Sequence, residues 1–115
     1  MSQPMERGAV VTVRFDPTEG REKRKTRPAV VVSNDIACRH DAVVQVVPLT
    51  QLPERPLRPY ETRVGSPESG LAKPCRSVAN QLRTVSRERI GRVVGRISSN
   101  EEAALDRALR IHLAL

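Results

Sequence analysis

The segment Ala29-Val30-Val31-Val32-Ser33 constrains the fold more than any other. A continuous apolar, β-branched run has no polar side to turn to water, and this one is too short for a buried helix. It fits a strand covered on both faces. A strand of that kind needs neighbours on its edges and a layer over each face, so the rest of the chain must supply them. Val11, Val13 and Phe15 alternate with Val10, Thr12 and Arg14, which predicts a first strand over residues 9–15. Asp16-Pro17-Thr18-Glu19-Gly20 breaks it, because proline removes an N–H and glycine permits a turn. Residues 42–49 read as a third strand, with Pro48 near its end or at an edge position. Pro53, Pro56 and Pro59 make a loop of the next segment, and Tyr60 to Val64 alternates as a fourth strand. Residues 65–70 form a turn region. Arg76 to Leu82, begun near Cys75, reads as the fifth strand, and Gly91 to Ile97 as the sixth. Residues 34–41 and 86–89 allow helical turns.

The chain closes on a helix. Ser98 and Ser99 each have a glutamate three residues on, Glu101 and Glu102, a doubled capping-box signal. Ala104, Leu105, Ala108, Leu109 and His112 then share one face, with Ile111 and Leu113 beside it. The pattern predicts a mainly β fold: a small, strongly bent antiparallel barrel with a C-terminal helix and short helical turns. A length of 115 residues suits a single domain over 1–115.

The formal net charge of +7 attracts polyanions: RNA, DNA, an anionic membrane or an acidic protein. Aromatic residues make up only 2%, Phe15 and Tyr60, so a nucleic-acid contact here must rest on Arg, Lys and backbone groups rather than on stacked rings. Cys38 and Cys75 lie far apart with no metal-ligand spacing, which predicts reduced thiols. The N-terminus has no apolar leader, and no stretch approaches the roughly 20 apolar residues of a membrane span. The expected location is cytoplasmic, without membrane contact. There is no phosphate-binding glycine loop, dinucleotide fingerprint, nucleophile elbow or zinc pattern, so no metal or cofactor is expected.

RNA carries its own nucleophile, the 2′-OH. A metal-free ribonuclease must remove that proton, stabilise the extra charge on the phosphorane and protonate the leaving 5′-oxygen. Arg27 stands where the basic segment 21–27 meets the buried run, and a guanidinium fork matches a phosphate. By its chemistry alone it reads first as one more solvated cation in a charged run. Thr50 has a hydroxyl for a phosphate oxygen, or for capping a strand end. Glu22 and Glu19 are candidate bases, or partners of Lys23 and Lys25; His40 is a lone loop imidazole, and His112 reads as structural.

Asp16-Pro17-Thr18-Glu19-Gly20-Arg21-Glu22, followed by Arg27-Pro28-Ala29-Val30-Val31-Val32-Ser33-Asn34-Asp35, resembles the N-terminal signature of the MazF/PemK toxins. Val47-Pro48-Leu49-Thr50 resembles that family's second block. Gln81-Leu82-Arg83-Thr84-Val85, with Arg89-Ile90 and Gly91-Arg92-Val93, resembles its third. The blocks span nearly the whole chain in the right order. The resemblance implies an SH3-like barrel of the CcdB/Kid/MazF type and a homodimer. It implies sequence-selective, metal-independent cleavage of single-stranded RNA and an antitoxin that blocks the site. The positive charge points to an acidic antitoxin. Matched residue by residue, the catalytic positions fall on Arg27, Thr50 and Glu22. The candidate RNA contacts are Arg21, Lys23, Arg24, Lys25, Gln51, Asn80, Gln81 and Arg83. The chain departs from the pattern at Val78 and Asn80, where some members carry Arg and Asp. It also departs at Pro74-Cys75, at the non-aromatic Val11 and Val13, and in the basic character of residues 21–27. Two other readings keep the fold: a CcdB-like gyrase-binding toxin without nuclease activity, and a non-catalytic RNA-binding module.

Overall fold

The computed structural model describes residues 4–15 and 26–115. Within them the chain is mainly β: β1 (Ala9–Arg14), β2 (Thr26–Val31), α1 (Asp35–His40), β3 (Val43–Gln51), β4 (Glu61–Val64), β5 (Cys75–Val78), β6 (Arg83–Ser86), β7 (Ile90–Arg96) and α2 (Ser99–Leu113). All pairings are antiparallel, in the order β4-β5-β3-β2-β1-β7, with β6 also paired to β3. Among the described residues no pairing joins β4 to β7, so the bent sheet is not closed. Alternate residues of β1–β3 feed two cores. Val11, Val13, Val31, Val44 and Val46 pack with Cys38 of α1 on one side. Val10, Val30, Val47 and Leu49 pack with Leu105 of α2 on the other. That is the two-sided burial expected of the Val-rich run.

Two prolines shape the sheet where β2 meets β3. The Val32 N–H bonds the Gln45 carbonyl (3.0 Å), so the alternation of ladder bonds returns at the pair Val30/Val47 and would return again at Pro28/Leu49. Proline has no N–H to donate there, and the ladder stops at Ala29–Pro48. Pro48 points its own missing donor at the opposite edge of β3. That edge is shared by β6, paired along Val43–Val46, and by β5, paired along Leu49–Gln51, and Pro48 falls in the gap between them.

This gap corrects one expectation. Residues 76–82 are not one strand: the chain leaves β5 at Val78, makes a 3₁₀ turn over Ala79–Gln81 and re-enters the sheet as β6. The turn is fixed by bonds from Ala79 N–H to the Tyr60 carbonyl (3.0 Å) and from Leu82 N–H to the Ala79 carbonyl (3.1 Å). Pro28 lies inside β2, opposite Thr12, where β2 is paired to β1 alone and a missing N–H costs little.

Ser98, not Ser99, caps α2: its hydroxyl accepts from Glu101 N–H, and the Glu101 carboxylate accepts from Ser98 N–H in return. The same carboxylate accepts from the N–H groups of Gly65 and Ser66 and from the Ser66 hydroxyl, tying the helix start to the turn after β4. These bonds hold its pKa below the ordinary value against the opposing effect of burial. Leu105 and Ala108 are buried, whereas Ile111, His112 and Leu113 are exposed because the last turn runs past the sheet. The structural role expected for His112 is therefore absent. Leu105→Ala is expected to cost about 2–5 kcal/mol in urea denaturation, since it opens a cavity under α2. A loss under 1 kcal/mol would mean the helix is a dispensable cover.

Candidate active site

Beyond Ala29–Pro48 the strands β2 and β3 separate, and a groove opens on each side of Arg27 and Thr50. One, of about 430 Å³, is lined by Arg27, Pro28, Leu49, Thr50, Gln51, Lys73, Pro74 and Cys75. The other, of about 540 Å³, is lined by Phe15, Arg27, Pro48, Leu49, Thr50, Arg76, Val78, Gln81 and Arg83. Arg27, Leu49 and Thr50 are common to both. Extending the β2–β3 register past its last pair sets Arg27 opposite Thr50. Arg27 is exposed on a strand anchored by buried Ala29, Val30 and Val31; Thr50 is half-buried and paired with Arg76 of β5. The arrangement brings a guanidinium fork and a hydroxyl donor to one open cleft, which suits a bound phosphodiester.

Behind the second groove lies a charge cluster. Glu61, with a side chain only 2% exposed, accepts two bonds from Arg55 (2.8 and 2.9 Å), one from Arg76 (2.5 Å) and one from the Arg58 N–H (2.9 Å). The Arg55 fork, helped by the Arg58 amide and by Arg76, outweighs burial and holds the Glu61 pKa at about 2 instead of 4.5. Two guanidinium charges against one carboxylate leave the cluster with one positive charge in excess. Arg83 sits over the Phe15 ring at 4.8 Å and donates to the Phe15 carbonyl (3.3 Å), and both residues line the groove. Burial raises the Cys75 thiol pKa and Lys73 partly opposes it, so this groove residue is a neutral thiol near pH 7. Both cysteines are free.

The structure thus gathers five of the residues singled out in the sequence: Arg27, Thr50, Gln51, Gln81 and Arg83. Asn80 is exposed on the 3₁₀ turn and lines neither groove; His40 is exposed at the end of α1, also away from both. Glu19, Arg21, Glu22, Lys23, Arg24 and Lys25 lie outside the described residues. The sequence reading missed Arg55, Glu61 and Arg76. In a chain with this many charges, nothing local separates a buried ion pair from solvated residues, and the proline-rich loop hides which arginine returns to Glu61. Among the described residues no group of three His, Cys, Asp or Glu side chains could hold a metal ion. No helix there is long and apolar enough to cross a membrane.

The matches to known proteins span nearly the whole chain. Residues 6–113 match the model of the PemK-like, MazF-like toxins of type II toxin–antitoxin systems. The chain is 39% identical to the endoribonuclease MazF9 of Mycobacterium tuberculosis over 116 aligned positions, 96% of this chain and 98% of that protein. It is 25% identical to the endoribonuclease EndoA of Bacillus subtilis, with 96% of each covered. A mycobacterial endoribonuclease solved in complex with its cognate antitoxin superposes with a TM-score of 0.76 at 25% identity, covering 96% of this chain and 95% of that one. With prolines at the β2–β3 fork, Arg27 and Thr50 on one cleft and these matches along its length, the chain belongs to the family of PemK-like, MazF-like toxins of type II toxin–antitoxin systems.

Proposed function

We propose that this chain is a metal-independent endoribonuclease, the toxin of a toxin–antitoxin pair, that cuts single-stranded RNA at selected sequences through the 2′-OH. The observation that carries the reading is the placing of Arg27 and Thr50 on both grooves at the fork where Pro28 ends the ladder. In the proposed reaction the 2′-oxygen attacks phosphorus, the bond to the 5′-oxygen breaks, and the products are a 2′,3′-cyclic phosphate and a 5′-OH. Arg27 donates to the equatorial oxygens as charge builds on the phosphorane, and Thr50 donates one further bond. Glu22 accepts the 2′-OH proton, because a guanidinium that stays protonated at working pH is a poor base, and the leaving 5′-oxygen takes a proton from solvent water. Gln51, Gln81 and Arg83 hold the strand along the grooves, and Asn80, Arg21, Lys23, Arg24 and Lys25 supply outer contacts. The positive charge favours an acidic antitoxin competing with RNA for this surface. A homodimer over the single unit 1–115, working in the cytoplasm, completes the reading.

Incubation with a long single-stranded RNA in the presence of a chelator, with both new ends mapped, tests it. Discrete cuts bearing a 5′-OH and a cyclic or 3′-phosphate are the expected outcome. RNA of unchanged length would leave only a binding module, and inhibition of gyrase supercoiling without RNA cleavage would favour the gyrase-directed reading.

A further inference from the structure

We propose that Arg76 is a further phosphate-binding residue of the groove, held in place by Glu61 and contacting the RNA backbone beside Thr50. The inference rests on the reading of the chain as a ribonuclease. Arg76 is Cα-paired with Thr50 on one side and with Arg63 on the other, so strand alternation sets it on the same face of the sheet as Thr50. It lines the groove that also holds Arg27, Gln81 and Arg83. Of the β5 residues it alone is a cation; Val78, further along the same face, is buried and apolar.

A surface arginine loses rotamer freedom when it grips a ligand. Here much of that freedom is already gone, because one terminal nitrogen is fixed on the Glu61 carboxylate at 2.5 Å. Glu61 does not neutralise the pair, since Arg55 occupies it with two bonds of its own. Glu61 takes only one terminal nitrogen of Arg76, which leaves the other terminal nitrogen uncommitted to it, while Nε is buried and unpartnered beneath the fork. A positioned fork with a spare donor and an uncompensated charge, facing a groove that Arg27 and Arg83 share, is a place for a phosphate. Glu61 and Arg55 are then positioning residues that act through Arg76.

The test measures binding and cleavage separately, with Arg76→Gln. An oligonucleotide with 2′-deoxy substitution at the cleavage position reports binding without turnover. Its Kd should rise about tenfold or more, as for loss of a charged hydrogen bond. The slope of log affinity against log salt should shrink by about 0.7, one phosphate contact on a single strand. KM should rise with kcat within a few-fold. Arg76→Lys should keep the salt slope. In the wild-type protein the Arg76 Nε–H resonance should shift on titration with the same oligonucleotide, a readout that needs no variant to fold. Wild-type affinity and salt slope in a folded Arg76→Gln protein, or an unmoved Nε–H resonance in the wild type, would overturn the inference. Absence of RNA cleavage by the wild-type chain would overturn the ribonuclease reading instead.

Discussion

Arg27→Ala is expected to slow RNA cleavage by roughly 10²–10³-fold while leaving the fold intact, because it removes a charged donor aimed at charge that develops only in the transition state. The fold should survive because Arg27 is exposed and the strand is held by Ala29, Val30 and Val31 on the other side of Pro28. Surface substitutions of this kind change stability by about 0.5 kcal/mol or less. The loss should fall mainly on kcat, in contrast to Arg76→Gln, where KM moves. Thr50→Ala removes a single neutral donor and should cost less than Arg27→Ala. Initial rates on a short single-stranded RNA, beside thermal melts of the same preparations, measure both. Wild-type rates from folded Arg27→Ala protein would remove Arg27 from the chemistry.

A large effect on stability is also expected at Glu61. Glu61→Ala strips the shared carboxylate from Arg55 and Arg76 and leaves two like charges near Arg63, itself the cross-strand neighbour of Arg76. Breaking a buried pair costs about 3–5 kcal/mol. The lower end, about 3 kcal/mol, is expected here, because the side chains of Arg55 and Arg76 are 36% and 22% exposed and keep some access to water. For a domain of this size that is a fall in Tm of roughly 10 °C. An unchanged Tm would show that the cluster holds nothing together.

The same residue predicts a pH dependence. The folded carboxyl has a pKa of about 2 against an ordinary 4.5, so the unfolded chain takes up the proton first as the pH falls. Glu61 therefore contributes its full stabilisation above pH 4.5 and loses it progressively as the pH falls toward about 2. The stability gap between wild type and Glu61→Gln should stay constant at neutral pH and narrow through that acid window. A gap that widened there would contradict the assignment.

Patterns confined to a few neighbouring residues were legible without coordinates. The run 29–33 demanded a strand covered on both faces and became one, with Val30 and Val31 in opposite cores. The serine–glutamate spacing at 98–101 announced the helix start, since a capping box closes within one turn. Arg27 and Thr50 stood out only through the order of the motifs around them, because an arginine in a basic segment and a threonine near a strand end are each ordinary. Residues 76–82 looked like one strand because alternation does not show that Pro48, on a different strand, leaves a gap on the edge where the two halves pair.

Taken alone, then, the sequence determined a Val-rich, mainly β chain with a capped C-terminal helix, and it picked out the pair at the fork. Tertiary structure decided what the groove is made of. It placed Arg76 beside Thr50, returned Arg55 across the proline loop to Glu61, left Asn80 outside and freed the last turn of α2. The division has a physical cause. Strand alternation, capping and proline breaks act between residues a few positions apart, whereas register and charge pairing join Arg55 to Glu61 and Thr50 to Arg76 only after the sheet has folded.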